Sequence, residues 1–372
     1  MHLRDLRTPA VLVDVNRAKA NIARMQALAA ANGRRLRPHA KTHKSPVVAR
    51  WQLEAGAIGI CCAKVGEAEV FADSGIEDIR LPYPVHPSNA DRVVRLADRV
   101  RLSIITDLAE TAREWSAAMV KAGRTLDVLV KVDVGFHRCG IDPFRPDAAD
   151  FIAEVASLPG LRLRGLLSHA GHCYTAASRA DVRAIAEDEA RILNELAAQA
   201  RARGAAIDEI SVGATPTAAF SASLEGITEL RPGNYVYLDR MQVGLGAAAL
   251  SDCALTVLAT VVTKHADRVI FDSGSKTLTS DGARGAGAGF GAVFSDVEDA
   301  SALDEGLLIE RLSEEHATVR VVSGTTRLQV GDRVRILPNH SCVVSNLVDE
   351  IALVDGTTVV DRIPVAARGR IA

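Results

Sequence analysis

The sequence predicts an α/β chain, a (β/α)8 barrel followed by a mostly antiparallel β domain. Three observations predict it. From residue 15 to about 245, short apolar runs alternate with helical stretches. Eight of those runs have the look of buried strands. Beyond residue 250 the helical pattern stops, and short β-branched runs follow one another across turns. Strand–helix alternation favours parallel strands, because parallel neighbours need a crossover connection. Eight such units over about 230 residues fit a closed barrel. An open doubly wound sheet is the rival that periodicity alone does not exclude.

Taken in order, Ala10–Asp14 is a strand that precedes the barrel and is placed with the tail's sheet. Val15–Asn32 reads as a helix, with Ile22, Met25 and Leu28 at helical spacing and Gly33 as its stop. The eight strands are 34–40, 57–63, 79–84, 102–106, 128–134, 163–169, 210–215 and 230–238. Helices fall between them, as at 65–73, 108–122 and 178–203. Trp51 and Trp115 read as helix packing, and Cys61 and Cys62 as core. The charged stretch from Arg179 to Arg203 reads as the solvated face of a helix. The tail strands are 254–263, 268–272, 317–322, 333–337, 350–354 and 357–361. Two domains result: 15–248 for the barrel, and 1–14 with 249–372 for the β domain. The glycine-rich run 282–291 lacks the strand-to-helix setting of a phosphate loop and reads as a linker.

Composition narrows the function. Lys+Arg 44 against Asp+Glu 46 leaves a net charge of −2 over 372 residues, which argues against a nucleic-acid or membrane-surface binder. No run of 18 apolar residues is present, and the first residues lack the apolar core of a signal peptide. The six cysteines show no framework spacing, so a reducing, cytoplasmic setting is expected.

In a barrel, chemistry gathers where the strands end. The first strand ends in Arg37-Pro38-His39-Ala40-Lys41-Thr42-His43-Lys44. A partly desolvated lysine there can lose its proton and form a Schiff base, and the cationic neighbours favour this. Spacing does not choose between Lys41 and Lys44. Later strand ends carry Asp133–Arg138, His169–Tyr174, Gly213–Thr217 and Arg231–Tyr235. Thr215 and Thr217, then Gly233 and Asn234, combine backbone access with polar donors, as a phosphate site near strands seven and eight would require. Near the end, His340 and Cys342 stand two apart, on one face if they end a strand. An imidazole with a thiolate suits Zn²⁺.

Together these motifs resemble the D-serine dehydratase and D-threonine aldolase family. The run from Arg37 to Lys44 resembles its cofactor-lysine motif. Val132–Gly135 with Arg138–Gly140, Ser168–His172, Ser211–Thr217 and Pro338–Cys342 follow in the expected order. The resemblance implies pyridoxal 5′-phosphate in a barrel of alanine-racemase type, bonded through Lys41. It implies a divalent metal on His340 and Cys342, zinc first, with manganese or magnesium as alternatives. Tyr174 and His169 join the expected cofactor contacts, and Arg138 or Arg231 faces the pyridine nitrogen. A homodimer is also implied.

The family holds two chemistries on β-hydroxy-D-amino acids. A dehydratase removes the Cα proton and expels the β-hydroxyl, so D-serine yields pyruvate and ammonia. An aldolase deprotonates the β-hydroxyl and breaks Cα–Cβ, giving glycine and an aldehyde. Lys41 would handle the Cα proton, with His169 or His172 carrying the hydroxyl proton. The motifs at His169–Tyr174, Ser211–Thr217 and Tyr237–Gln242 favour the dehydratase branch, although Cys173 stands where that branch is expected to have serine. An amino-acid racemase is the more distant alternative, disfavoured by the His340/Cys342 pair.

Overall fold

The computed structural model describes residues 1–282 and 287–372; the middle of the run read as a linker lies outside the described residues. The first helix, Val15–Ala31, starts where the Asp14 side chain accepts a bond from Arg17 N at 2.9 Å. It stops at Gly33, whose φ of +66° is the left-handed turn glycine allows.

Eight parallel strands follow: Arg35–Leu36, Ile60–Cys61, Asp78–Pro84, Arg101–Thr106, Leu126–Lys131, Leu161–Leu167, Glu209–Val212 and Glu229–Leu230. From the second to the last, each pairs with the next in sequence, and the last pairs with the first. The ring closes between the first two strands. Ile58 N bonds Leu36 O at 3.0 Å, and Cys61 N bonds Pro38 O at 2.8 Å. This closure makes the sheet a barrel and removes the open-sheet rival.

Two strands are shorter than their apolar runs. The 34–40 run pairs only over Arg35–Leu36, then Pro38 ends the ladder and the chain turns into the short helix Ala40–Thr42 that carries Lys41. The 230–238 run pairs only over Glu229–Leu230, because Pro232 offers no N–H and a turn at Asn234–Val236 follows. Trp115 is buried and donates to Val85 O at 2.9 Å. Cys61 and Cys62 are core. The helix Arg179–Ala202 opens on a Ser178 cap and buries Ile192, Leu193 and Leu196 against the barrel.

Alternate strand residues face the barrel interior. Ile105, Leu129 and Leu167 form a small apolar cluster there. Beneath it lies a buried ionic plug. Glu229 is held by Arg80 and by Arg37 Nε at 3.0 Å, and Arg80 Nη2 reaches Glu209 at 2.8 Å. Burial alone would raise the Glu229 carboxyl, but Arg80 and Arg37 bring it down to about 2 from an ordinary 4.5. Its contribution to stability is therefore present above that ordinary value and lost as pH falls toward 2. Glu229→Ala leaves two guanidiniums short of their partner, so it should destabilise the fold by about 3–5 kcal/mol at neutral pH. Urea unfolding of the variant checks this; an unchanged midpoint would show that the plug relaxes freely.

The β domain runs Leu307–Leu312, Ala317–Val321, Arg268–Phe271, Leu255–Lys264, Ala10–Asp14, Glu350–Asp355, Thr358–Pro364 across its sheet. Arg333–Leu337 also pairs Leu255–Lys264 and carries Ala292–Val293. Only Ala10–Asp14 with Glu350–Asp355 is parallel. Leu307–Leu312 is a strand that the sequence pattern did not mark. Its register shifts between Ile309 and Arg311, so the bulge breaks the alternation that would have signalled it. No helix among the described residues is long and apolar enough to cross a membrane.

Candidate active site

The barrel's C-terminal mouth and a turn of the β domain line one open cavity of about 200 Å³. Lys41, Lys131, Arg138 and Arg231 line it, and no carboxylate does among the described residues. Burial pushes the Lys41 ammonium down, and Arg138 and Arg231 add to that, while Cys342 and Glu67 oppose it. Lys44 points elsewhere. Its Nζ sits 3.0 Å from Glu67 Oε1, both side chains being buried. Of the two lysines that spacing left open, Lys41 is the one that lines the cavity.

The same cavity holds an anion cradle, with Arg231 beside it. Among the described residues, the backbone N–H groups of Gly213, Ala214, Gly233 and Asn234 make no hydrogen bond, and all four residues line the cavity. Both glycines are required by close approach. A Cβ on Gly213 would lie 3.0 Å from Arg231 Cβ, and one on Gly233 would lie 2.9 Å from His39 O. The Thr215 hydroxyl accepts from Tyr235 N at 3.1 Å, which braces the loop. Tyr174 lines the same cavity.

Arg231 is fixed inside the barrel by Ser211 Oγ at 2.7 Å and by Ser168 O. The His169 Nδ1 bonds Gly213 O. A carbonyl only accepts, so Nδ1 holds the hydrogen and Nε2 is the free nitrogen. Burial, with Lys41 and Lys131 nearby, holds this imidazole neutral.

The β domain contributes His340 and Cys342. They do not end a strand as their spacing suggested. Arg333–Leu337 stops earlier, and His340 precedes the one-turn helix Ser341–Ser345 that contains Cys342. They still come together: both line the cavity, and each shifts the other's protonation. Asp281 Oδ2 holds His340 Nδ1 at 2.7 Å. Burial would lower the imidazole, but Cys342, Asp239 and Asp281 raise it to about 10. Burial would raise the thiol, yet His340 brings it down. A thiolate and an imidazole whose other nitrogen is fixed by a carboxylate are a donor set suited to Zn²⁺. No third His, Cys, Asp or Glu joins them among the described residues, so solvent or substrate must complete the shell.

Two expected residues fall outside the cavity. His172 lies over Gly135, with its ring about 3.5 Å from the nearest Cβ position there. Thr217 turns its hydroxyl to Ala214 O at 3.3 Å, behind the cradle. Three residues that the sequence had not singled out for the site also line the cavity, Pro82, Lys131 and Met241, and so does His39 of the first-strand run. Lys131 had a signal, because it follows the inward-facing Leu129 by two residues on one strand.

An amine of lowered basicity in one cavity with a cradle for an anion suits a phosphorylated aldehyde. On this barrel it defines a pyridoxal-phosphate enzyme of the alanine-racemase class. Residues 13–241 match the family described as "Alanine racemase, N-terminal domain", and residues 254–354 match "Putative serine dehydratase domain". The chain is 36% identical to a D-threonine aldolase of Arthrobacter sp, over 97% of this chain and 93% of that one. It is 35% identical to the D-threo-3-hydroxyaspartate dehydratase of Delftia sp. (strain HT23), over 91% of each. A solved structure of that dehydratase, a cysteine-to-alanine variant described as metal-free, superposes with a TM-score of 0.91 at 32% identity, covering 98% of both chains. A histidine-to-alanine variant of the same enzyme is also solved, its altered residue two positions before that cysteine. The chain belongs to the D-serine dehydratase and D-threonine aldolase family of pyridoxal-phosphate-dependent lyases.

Proposed function

We propose that this enzyme is a metal-assisted dehydratase of β-hydroxy-D-amino acids, with D-serine converted to pyruvate and ammonia. The observation that carries the reading is the His340–Cys342 pair set across one cavity from Lys41. Bound pyridoxal phosphate supplies an electron sink conjugated to Cα, and a bound divalent cation supplies a Lewis acid at Cβ. The chain's own residues do the rest. Lys41 takes the Cα proton, a task its lowered basicity suits. Arg231 stands as a fixed cation at the barrel axis, and the neutral His169 walls the cavity beside it. Arg138 and Lys131 favour the substrate carboxylate. His340 and Cys342 would hold the cation at the β-domain side of the cavity, so that Lys41 and this pair would fix the substrate at two points and favour one hand of it.

Zinc is the proposed metal, because a thiolate ligand favours it over magnesium or manganese. The same His-to-Cys spacing in the Delftia dehydratase variants, one of them described as metal-free, supports the pair as its ligands. Retro-aldol cleavage needs a base at the β-hydroxyl, and His172, one of the two histidines proposed for that step, lies outside the cavity. The identity to an aldolase keeps that reaction as the rival. Product analysis decides: pyruvate and ammonia from D-serine support the proposal, whereas glycine and acetaldehyde from D-threonine with no pyruvate from D-serine would overturn it. The six free cysteines fit a cytoplasmic enzyme, and a homodimer is the proposed assembly, to be read by sedimentation.

Asp281 is a further handle on the metal. Its bond to His340 Nδ1 fixes the ring, and removing such a partner weakens metal binding about 10–100-fold. Asp281→Ala should show that loss in a chelator competition while the bound cofactor's absorbance stays unchanged. Wild-type metal affinity in the variant would mean the ring is oriented by other groups.

A further inference from the structure

Asp239 is fully buried and does not line the cavity, yet it joins the two halves of the site. Its Oδ2 accepts from Asn234 Nδ2 at 2.6 Å and from Ser341 N at 2.9 Å. The Ser341 hydroxyl reaches the same oxygen at 3.3 Å, and Oδ1 caps the next helix through Gln242 N at 3.1 Å. Asn234 belongs to the anion cradle, and Ser341 lies between His340 and Cys342. One carboxylate therefore bridges a barrel loop and a β-domain turn that are 102 residues apart in sequence.

Two more features single out this position. Leu238, immediately before it, has φ +56°, a left-handed conformation that a non-glycine residue adopts only when its surroundings impose it. The two segments also run side by side: Arg240 N bonds Pro338 O at 3.1 Å, and Met241 N bonds Asn339 O at 3.3 Å. Asn234 Nδ2 adds contacts to Ser341 Oγ at 3.1 Å and to Cys342 Sγ at 3.4 Å. Displacing the cradle loop would thus drag the turn with it.

We propose that Asp239 is a positioning residue that couples the anion cradle to the metal-holding turn, so that loading either half of the site tightens the other. The inference rests on the metal reading of His340 and Cys342 given above. An anion on the Asn234 N–H restrains that loop, and the carboxylate passes the restraint to Ser341 and its two neighbours. The turn is then already ordered when the cation arrives, so less freedom is lost on binding. Linkage makes the effect mutual, with the cation tightening the cofactor by the same factor.

The test is Zn²⁺ affinity, measured by chelator competition on the enzyme with and without pyridoxal phosphate. In the wild type the metal should bind about tenfold tighter when the cofactor is present. Asp239→Asn keeps the shape but offers one acceptor oxygen to donors that the carboxylate serves with two. The ratio should fall close to one. A merely structural role would weaken both affinities and leave the ratio as it was, and that result overturns the proposal. Should the variant not fold, Asn234→Ala breaks the barrel arm of the bridge, and the same collapse of the ratio is expected; a preserved ratio sinks the idea. A wild type that binds metal with a ratio of one refutes the coupling alone, whereas a wild type that binds no metal refutes the metal reading as well.

Discussion

Lys41→Ala should lower turnover about ten-thousand-fold or more while the fold survives. The lysine stands on a short turn that Pro38 forces out of the first strand, so its truncation leaves the barrel's ladder untouched. Its amine faces a cavity lined also by Lys131, Arg138 and Arg231 and, among the described residues, by no carboxylate, and desolvation lowers its basicity. Lys44 is held by Glu67 in a buried pair. Lys131 lines the same cavity, and burial with Arg231 brings it to about 7, so it is the competing amine that the peptide map distinguishes. Borohydride treatment followed by peptide mapping should leave the pyridoxyl label on the Lys41 peptide. The variant should lose that label and the visible absorbance of the bound cofactor, with its melting curve close to wild type. Lys44→Ala should do the reverse, keeping the label while costing stability, because Glu67 is left buried without its cation. A label on another lysine, or turnover within tenfold in Lys41→Ala, would end the assignment.

The parts of this site that sequence made visible are those whose signal is local. The eight strands announce themselves as apolar runs, and Lys41 follows Arg37-Pro38-His39 as a polar interruption at a strand end. His340 and Cys342 stand close enough in sequence to be noticed together, although they meet through a one-turn helix and not through strand alternation. The missed features are long-range. Asp239 and Asp281 matter because of Ser341 and His340, 102 and 59 residues away, and nothing in the neighbourhood of either aspartate announces it. The ionic plug joins Arg37, Arg80, Glu209 and Glu229 from four strands. His172 misleads for the opposite reason: it is local to His169, but the turn Gly171–Thr175 rotates it away from the cavity. Lys131 was within reach, since it stands two positions after Leu129, on the same inward face of the strand and at its C-terminal end, where the site lies.

Stripping the metal should have the second large effect, and on a different observable. Hydroxide is a poor leaving group, because water has a pKa of about 15.7, whereas coordination to zinc lowers it to about 9 even in free solution. If about half of that difference is felt as the bond breaks, the cation is worth roughly a thousandfold in rate. A chelator should therefore reduce elimination from D-serine by about that factor, while the cofactor's absorbance persists because Lys41 and the cradle lie on the barrel side. Added Zn²⁺ should restore the wild type. It should not restore Cys342→Ala, which loses the thiolate that His340 holds in its charged form. The order of rescue tests the ligand itself. A thiolate is soft, so Zn²⁺ should restore activity at a lower concentration than Mg²⁺. If magnesium were the better rescuer, the sulfur would be a bystander, and oxygen donors would have to hold the cation. A racemase on the same barrel, which needs only groups on the two faces of its substrate, would ignore the chelator altogether.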